Sequence, residues 1–284
     1  MAVHGYHLGC PGWALKAWVG KLFPAGTRSA EFLERYAEVF NTVEGNTTFY
    51  ALPPAETVVR WRASVPVGFR FCFKFPRAVT HEGPLRADCP AIGDFLRCIA
   101  PLADRIGTLF LQLPPHVGPA EVPALDALLA SLSRDFTYAV EPRHPAFFDG
   151  GAAEHDLDAL LAARGVDRVI MDTRGIQSST SLRFAEVRGR KPSLPVVMRA
   201  TASQPLVRFV PHEDWAASLP FVAAWPAQVA RWIGAGKRPY VFMHSPDDVD
   251  APENAYRFHA LVCEHADVGE LPPWPGTPRQ RELF

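Results

Sequence analysis

With 284 residues, 48% of them hydrophobic and 21% charged, the chain can bury a sizeable core as one α/β barrel or as two smaller domains. A net charge of -1 leaves no overall positive field for nucleic acid, so only a local basic patch could hold it. No apolar run approaches the ~20 residues that span a bilayer, and the opening Met1-Ala-Val-His-Gly-Tyr6 lacks a basic segment followed by an apolar one, so no secretion signal is expected. Five cysteines without a Cys-x-x-Cys spacing (Cys10, Cys72, Cys89, Cys98 and Cys263) fit reduced thiols and a cytoplasmic location. Cys10 and Cys72 suit small barrel-lining positions, with a nucleophilic Cys10 the lesser reading.

The chain alternates strand and helix patterns. A first strand at Tyr6 to Cys10 precedes a helix over Ala30 to Phe40 that Ser29 can cap. The segment Asn41-Thr-Val-Glu44 is followed by a helix at Ala55 to Val65, and Phe71-Cys-Phe-Lys74 by one at Ile92 to Ile106. Leu109-Phe-Leu-Gln112 leads to Val122 to Leu132, and Tyr138-Ala-Val-Glu141 to Glu154 to Ala163, which Gly165 is placed to stop. A weaker helix over Ser179 to Val187 follows Val169-Ile-Met-Asp172. Beyond Leu206-Val-Arg208, a helix at Phe221 to Ile233 is expected to break at Pro226. The last pair is Val241-Phe-Met-His244 with Ala255 to His265.

Seven of these strands end on one polar residue at the parity of an apolar neighbour, as in Cys72 with Lys74, Ala139 with Glu141 and Ile170 with Asp172. Eight strands in right-handed crossovers predict a single TIM-type (β/α)8 barrel whose polar mouth lies at the carboxyl ends of the strands. An open doubly wound sheet is the alternative. The barrel is expected over 1–270, with a proline-rich extended tail over 271–284.

The stretch Phe40-Asn-Thr-Val-Glu-Gly-Asn-Thr-Thr-Phe-Tyr-Ala-Leu-Pro53 resembles the YecE-like family of domains of unknown function. Gly9-Cys-Pro-Gly-Trp13, Gly68-Phe-Arg-Phe-Cys-Phe-Lys74, Gln112-Leu-Pro-Pro115 and Val140-Glu-Pro-Arg-His144 match it in order across nearly the whole chain. The resemblance implies a TIM-type barrel and no reaction. Pro142, Ala146-Phe147, Val210-Pro211 and His244-Ser-Pro-Asp247 depart from the broader family pattern, which weakens transfer of roles on the last two strands.

Glu44 and Glu141 are the leading general acid–base candidates. Lys74, among phenylalanines, suits a charged partner for an anion better than a Schiff-base lysine. Arg143 can clamp an anionic group with Glu141 orienting it, and Asp172 with His244 can add a second acid–base pair. Asn46, Thr48, Tyr50, His81, Gln112, His144 and Arg208 complete the candidate ligand-binding set, and aromatic loop residues such as Trp13, Trp18, Phe147 and Phe148 offer stacking faces. Glu44, Glu141, Asp172 and His244 could hold one divalent metal. Three cations (Lys74, Arg143, Arg208) at the same mouth favour a small anionic, nucleotide-like ligand instead, and no cofactor is assigned. A neutralised ion network that merely seals the barrel is the bland alternative. Dinucleotide, P-loop and Gly-x-Ser-x-Gly patterns are absent from the sequence.

The chain closes on Gln280-Arg-Glu-Leu-Phe284, which is similar to the peptide that bacterial replication and repair proteins dock on the sliding clamp. Leu283 and Phe284 would be the apolar anchors and Gln280 the polar fixture. The reading is therefore an enzyme-like barrel for an anionic ligand, recruited to DNA replication or repair by its tail. A small-molecule enzyme acting on a sugar or sugar phosphate, and a non-catalytic binding module, are the rivals.

Overall fold

Eight short strands and eleven α-helices alternate along residues 3–274, the part of the chain that the computed structural model describes. The strands are β1 (His7–Gly9), β2 (Thr42–Gly45), β3 (Arg70–Phe73), β4 (Thr108–Gln112), β5 (Thr137–Glu141), β6 (Asp167–Asp172), β7 (Leu206–Phe209) and β8 (Tyr240–Met243). The helices are α1 (Phe32–Ala37), α2 (Ala55–Ala63), α3 (Arg77–Thr80), α4 (Pro90–Ile99), α5 (Val122–Ser131), α6 (Ala152–Arg164), α7 (Arg174–Ser178), α8 (Ala185–Arg190), α9 (Trp215–Val222), α10 (Ala224–Gly234) and α11 (Ala251–Cys263). Gly165, at φ 66°, stops α6 in the left-handed conformation that glycine adopts without strain.

Every strand pairing is parallel, and the sheet curls in the order β1-β8-β7-β6-β5-β4, with β2 and β3 paired separately. The ladder is thus divided into six strands and two, rather than running through eight. Side chains and isolated backbone bonds stitch the two seams. Between β1 and β2, the Tyr36 hydroxyl accepts from the Cys10 amide at 2.7 Å and donates to the Thr42 carbonyl at 2.9 Å. Asn41, just before β2, holds the β1 segment directly, accepting from the Leu8 amide at 2.8 Å and donating to the Tyr6 carbonyl at 3.0 Å. The approach is so close that a Cβ on Gly9 would lie 2.1 Å from the Thr42 oxygen. Between β3 and β4, the Gly107 amide donates to the Phe71 carbonyl at 2.8 Å and the Thr108 amide to Cys72 Sγ at 3.3 Å.

Cys72, Phe110, Ala139, Val169, Leu206, Tyr240 and Phe242 form a buried cluster enclosed by the strands, separate from the larger core between strands and helices. Two residues further along each strand, on the same face, come Lys74, Gln112, Glu141, Met171, Arg208 and His244. That layer is the mouth. The expected partner on β6 was Asp172, but Val169 and Met171 take the inner face and Asp172 faces the helices.

Several expected helices differ. Ser29 lies inside a 3-10 turn, Ser29–Glu31, and does not cap α1, and the helix expected over Ile92 to Ile106 ends at Ile99 and passes into a 3-10 segment, Ala100–Arg105. Ser179, expected to start one, instead has extended backbone and ends α7, its hydroxyl donating to Glu213 at 2.8 Å and accepting from the Ser181 amide. The break expected at Pro226 falls at Ala223. Pro226 then sits in the first turn of α10, where a missing N–H costs nothing. At the end of the described chain, Pro272 accepts from the Tyr256 hydroxyl at 2.8 Å and the Trp274 ring meets Tyr256 edge-on, so 271–274 pack on α11. No helix among the described residues is long and apolar enough to cross a membrane.

Candidate functional site

Arg208, near the end of β7, reaches into the centre of the mouth and is buried there. Its fork grips Glu44 of β2 through two bonds of 2.8 Å, and its third nitrogen donates to Glu141 of β5 at 2.5 Å. Arg143 takes the other Glu141 oxygen at 2.7 Å, and Asn46 donates to Glu44 at 2.6 Å. Burial by itself would raise both carboxyl pKa values, but their partners outweigh it, Arg208 with His244 at Glu44 and Arg143 with Arg208 at Glu141. Glu44 falls well below its ordinary range and Glu141 to about 2. Two carboxylates held ionised in this way are poor proton donors near neutral pH. Their geometry makes them holders of Arg208 and Arg143.

His244 lies against the same centre, with Nε2 3.4 Å from Glu44 and Nδ1 3.8 Å from Asp248. Its Nε2 is buried with no hydrogen bond of good geometry. Asp248 follows β8 with φ 60°, the one non-glycine residue at positive φ among the described residues, and the Trp18 indole donates to its carbonyl at 2.9 Å. Burial raises the Asp248 pKa.

Lys74 follows β3 and is only 6% exposed. Its ammonium stands 3.9 Å over the Phe49 ring and 3.4 Å from the Gln112 amide oxygen, with no carboxylate partner within 4.0 Å among the described residues. Burial, reinforced by the positive charge of Arg208, lowers its pKa to about 8. His81 belongs to the same wall, edge-on to Phe49 at 5.0 Å, its pKa lowered by burial and then by Lys74.

The remaining candidates separate from this centre. Thr48 donates to the Lys74 carbonyl at 2.7 Å and so fixes the loop that carries Phe49. Tyr50 points outward, 73% exposed. His144 caps a 3-10 turn by accepting from the Ala146 amide. Asp172 is taken up by Arg174 at 2.7 Å and by the Trp225 indole at 2.8 Å, behind the strands. The four-residue metal set considered from sequence is therefore not assembled. Among the described residues no cluster of three or more His, Cys, Asp or Glu side chains is placed to hold a metal. Cys10 is fully buried and burial pushes its thiol pKa well up, contrary to what a nucleophile needs. Trp18 and Phe147 are buried and serve packing. Gln280, Leu283 and Phe284 lie outside the described residues.

The model for the family described as "Protein of unknown function DUF72" matches residues 7–279. The UPF0759 protein YecE of Escherichia coli is 40% identical over 281 residues, which span 98% of this chain and 99% of that protein. The chain belongs to the DUF72 family. Crystal structures of DUF72 family proteins share the fold. The Enterococcus faecalis protein superposes with a TM-score of 0.71 at 18% identity, over 94% of this chain and 98% of that one. The Thermotoga maritima protein does so with a TM-score of 0.70 at 22% identity, over 91% and 99%.

Two residues of the site had no signal in the sequence. Met171 brings its sulfur to 3.8 Å from both Arg143 and Arg208, from a strand in which either alternation is apolar. Asp248 lies in a loop beyond the last strand ending.

Proposed function

We propose that the mouth binds a small anionic ligand, nucleotide-like or a sugar phosphate, and that Lys74 is its primary charge partner. One observation carries this: Lys74 is a nearly buried ammonium with no carboxylate within 4.0 Å among the described residues, beside a centre whose carboxylates are already committed to arginines. Desolvating an unpaired cation costs stability that a sealing network would not spend, whereas an arriving anion offsets it. Arg143 is the second contact, with Gln112 and His81 on the same wall. With a pKa of about 8, Lys74 is also the group best able to exchange a proton with a bound ligand near neutral pH. In this reading Glu44 and Glu141 are positioning residues, the barrel seams close in solution, and the protein is cytoplasmic.

The test is thermal unfolding and calorimetry with inorganic phosphate, nucleoside monophosphates and sugar phosphates. Saturable stabilisation by at least one of them, lost in Lys74→Met, is expected. Stabilisation that persists in Lys74→Met places the anion elsewhere and rejects the assignment.

We further propose that Gln280-Arg-Glu-Leu-Phe284 addresses the protein to the bacterial sliding clamp, on the strength of the sequence pattern at a proline-spaced end. Saturable binding of the full chain to the host clamp, lost on removing 280–284, is the expected result. No binding by the intact chain would leave the small-molecule enzyme without a DNA role as the better reading.

A further inference from the structure

The loop that follows β2 carries two large hydrophobic side chains out of the core, Tyr50 at 73% exposure and Leu52 at 38%. Its backbone is nevertheless fixed. The Tyr50 and Ala51 amides both donate to the Thr47 carbonyl, at 3.0 and 3.1 Å, and the Thr48 hydroxyl ties the same turn to the Lys74 carbonyl at 2.7 Å. Tyr50 is thus an aromatic ring left in water on a rigid support, which is a preorganised face for a flat group.

The two side chains open onto one groove of about 270 Å³, lined from across by Pro76 and Ala78 at the start of α3 and by Ala91 of α4. Phe49 is the wall between this groove and the mouth. Its ring meets Tyr50 at right angles, with centroids 5.1 Å apart, and the Lys74 ammonium stands 3.9 Å from it. The groove therefore begins one ring away from that ammonium, a spacing of the kind that a ribose sets between a phosphate and a base. Charges at the rim are already paired, Arg77 with Glu82 at 2.9 Å and Arg97 with Asp94. A second phosphate in the groove would meet those two carboxylates, so the group that suits it is flat and uncharged.

We infer that the anion held by Lys74, on whose reading this rests, is the phosphate of a nucleoside monophosphate, with its base stacked on Tyr50 in the groove. A sugar phosphate would fill the charged end alone and leave the aromatic face unused.

Calorimetry on the full chain with AMP, GMP, CMP and UMP, compared with inorganic phosphate and with ribose phosphorylated on its primary hydroxyl, tests the inference. At least one nucleotide is expected to bind at least tenfold more tightly than the phosphorylated ribose, which lacks the base. Tyr50→Ala should bring that nucleotide down to the level of the phosphorylated ribose and leave phosphate binding unchanged, whereas Tyr50→Phe should keep the advantage. Thermal unfolding of each variant without ligand verifies that it is folded. Equal affinity for the nucleotides and the phosphorylated ribose, or an advantage that survives in Tyr50→Ala, overturns the base subsite. Phosphate binding that is lost in Lys74→Met would then leave the single anion site standing. Absence of binding by phosphate and by every ester overturns both.

Discussion

Arg208 is the residue on which the mouth depends, because its planar fork satisfies Glu44 through two bonds and still reaches Glu141. Removing the guanidinium leaves two buried carboxylates facing each other without a cation. Arg208→Met is therefore expected to cost about 3–5 kcal/mol, measured by urea denaturation at neutral pH. Lys74 should behave in the opposite sense. Its folded pKa lies below its ordinary value, so the ammonium is destabilising when charged, and stability should rise as pH climbs from about 8 towards 10.5. Lys74→Met is expected to gain on the order of 1 kcal/mol at pH 7, while losing the anion, the trade-off seen where a residue is kept for binding. A loss of stability in Lys74→Met would mark the lysine as structural. These residues were legible in part. Strand-end position and residue type singled out Glu44, Lys74, Glu141, Arg208 and His244, and raised mutual neutralisation of acids and arginines only as the alternative to an anion site.

At the scale of elements, the β1–β2 seam shows how side chains can reinforce a strand pair that shares a single backbone bond, from the Glu44 amide to the Cys10 carbonyl. Tyr36→Phe deletes the hydroxyl that serves both the Cys10 amide and the Thr42 carbonyl, and should cost about 1–3 kcal/mol in chemical denaturation. Gly9→Ala presses a methyl group on the Thr42 carbonyl oxygen, which is backbone and cannot swing aside, so a loss of about 3 kcal/mol is expected. If either variant unfolds like the parent, the seam is not a source of stability. Strand β6 shows the limit of pattern reading. It is buried on both faces, so Val169 with Met171 and Ile170 with Asp172 are equally plausible inner pairs. A change of one residue in register exchanges the faces, and only packing against the helices chose Met171 for the mouth and Asp172 for Trp225.

At the scale of the molecule, the ion network links folding to pH. Glu141 titrates at about 2 in the fold against 4.5 ordinarily, and Glu44 is likewise depressed. The stability they contribute is complete above about pH 4.5 and is lost as pH falls towards 2. Urea denaturation between pH 7 and pH 2 should show that loss, reduced in Arg208→Met. By itself the sequence determined the alternation of strands and helices, the parallel α/β class, the family and the end of the sheet that carries charge, because hydrophobic period and strand-end residue type are local properties of a chain. Tertiary structure alone decided which strand face turns inward on β6, where the ladder breaks, and which charges neutralise one another. It also brought Met171 and Asp248 to the mouth. Those outcomes depend on distances between residues far apart in the chain, and a buried charge is set by whatever the fold places within a few ångströms of it.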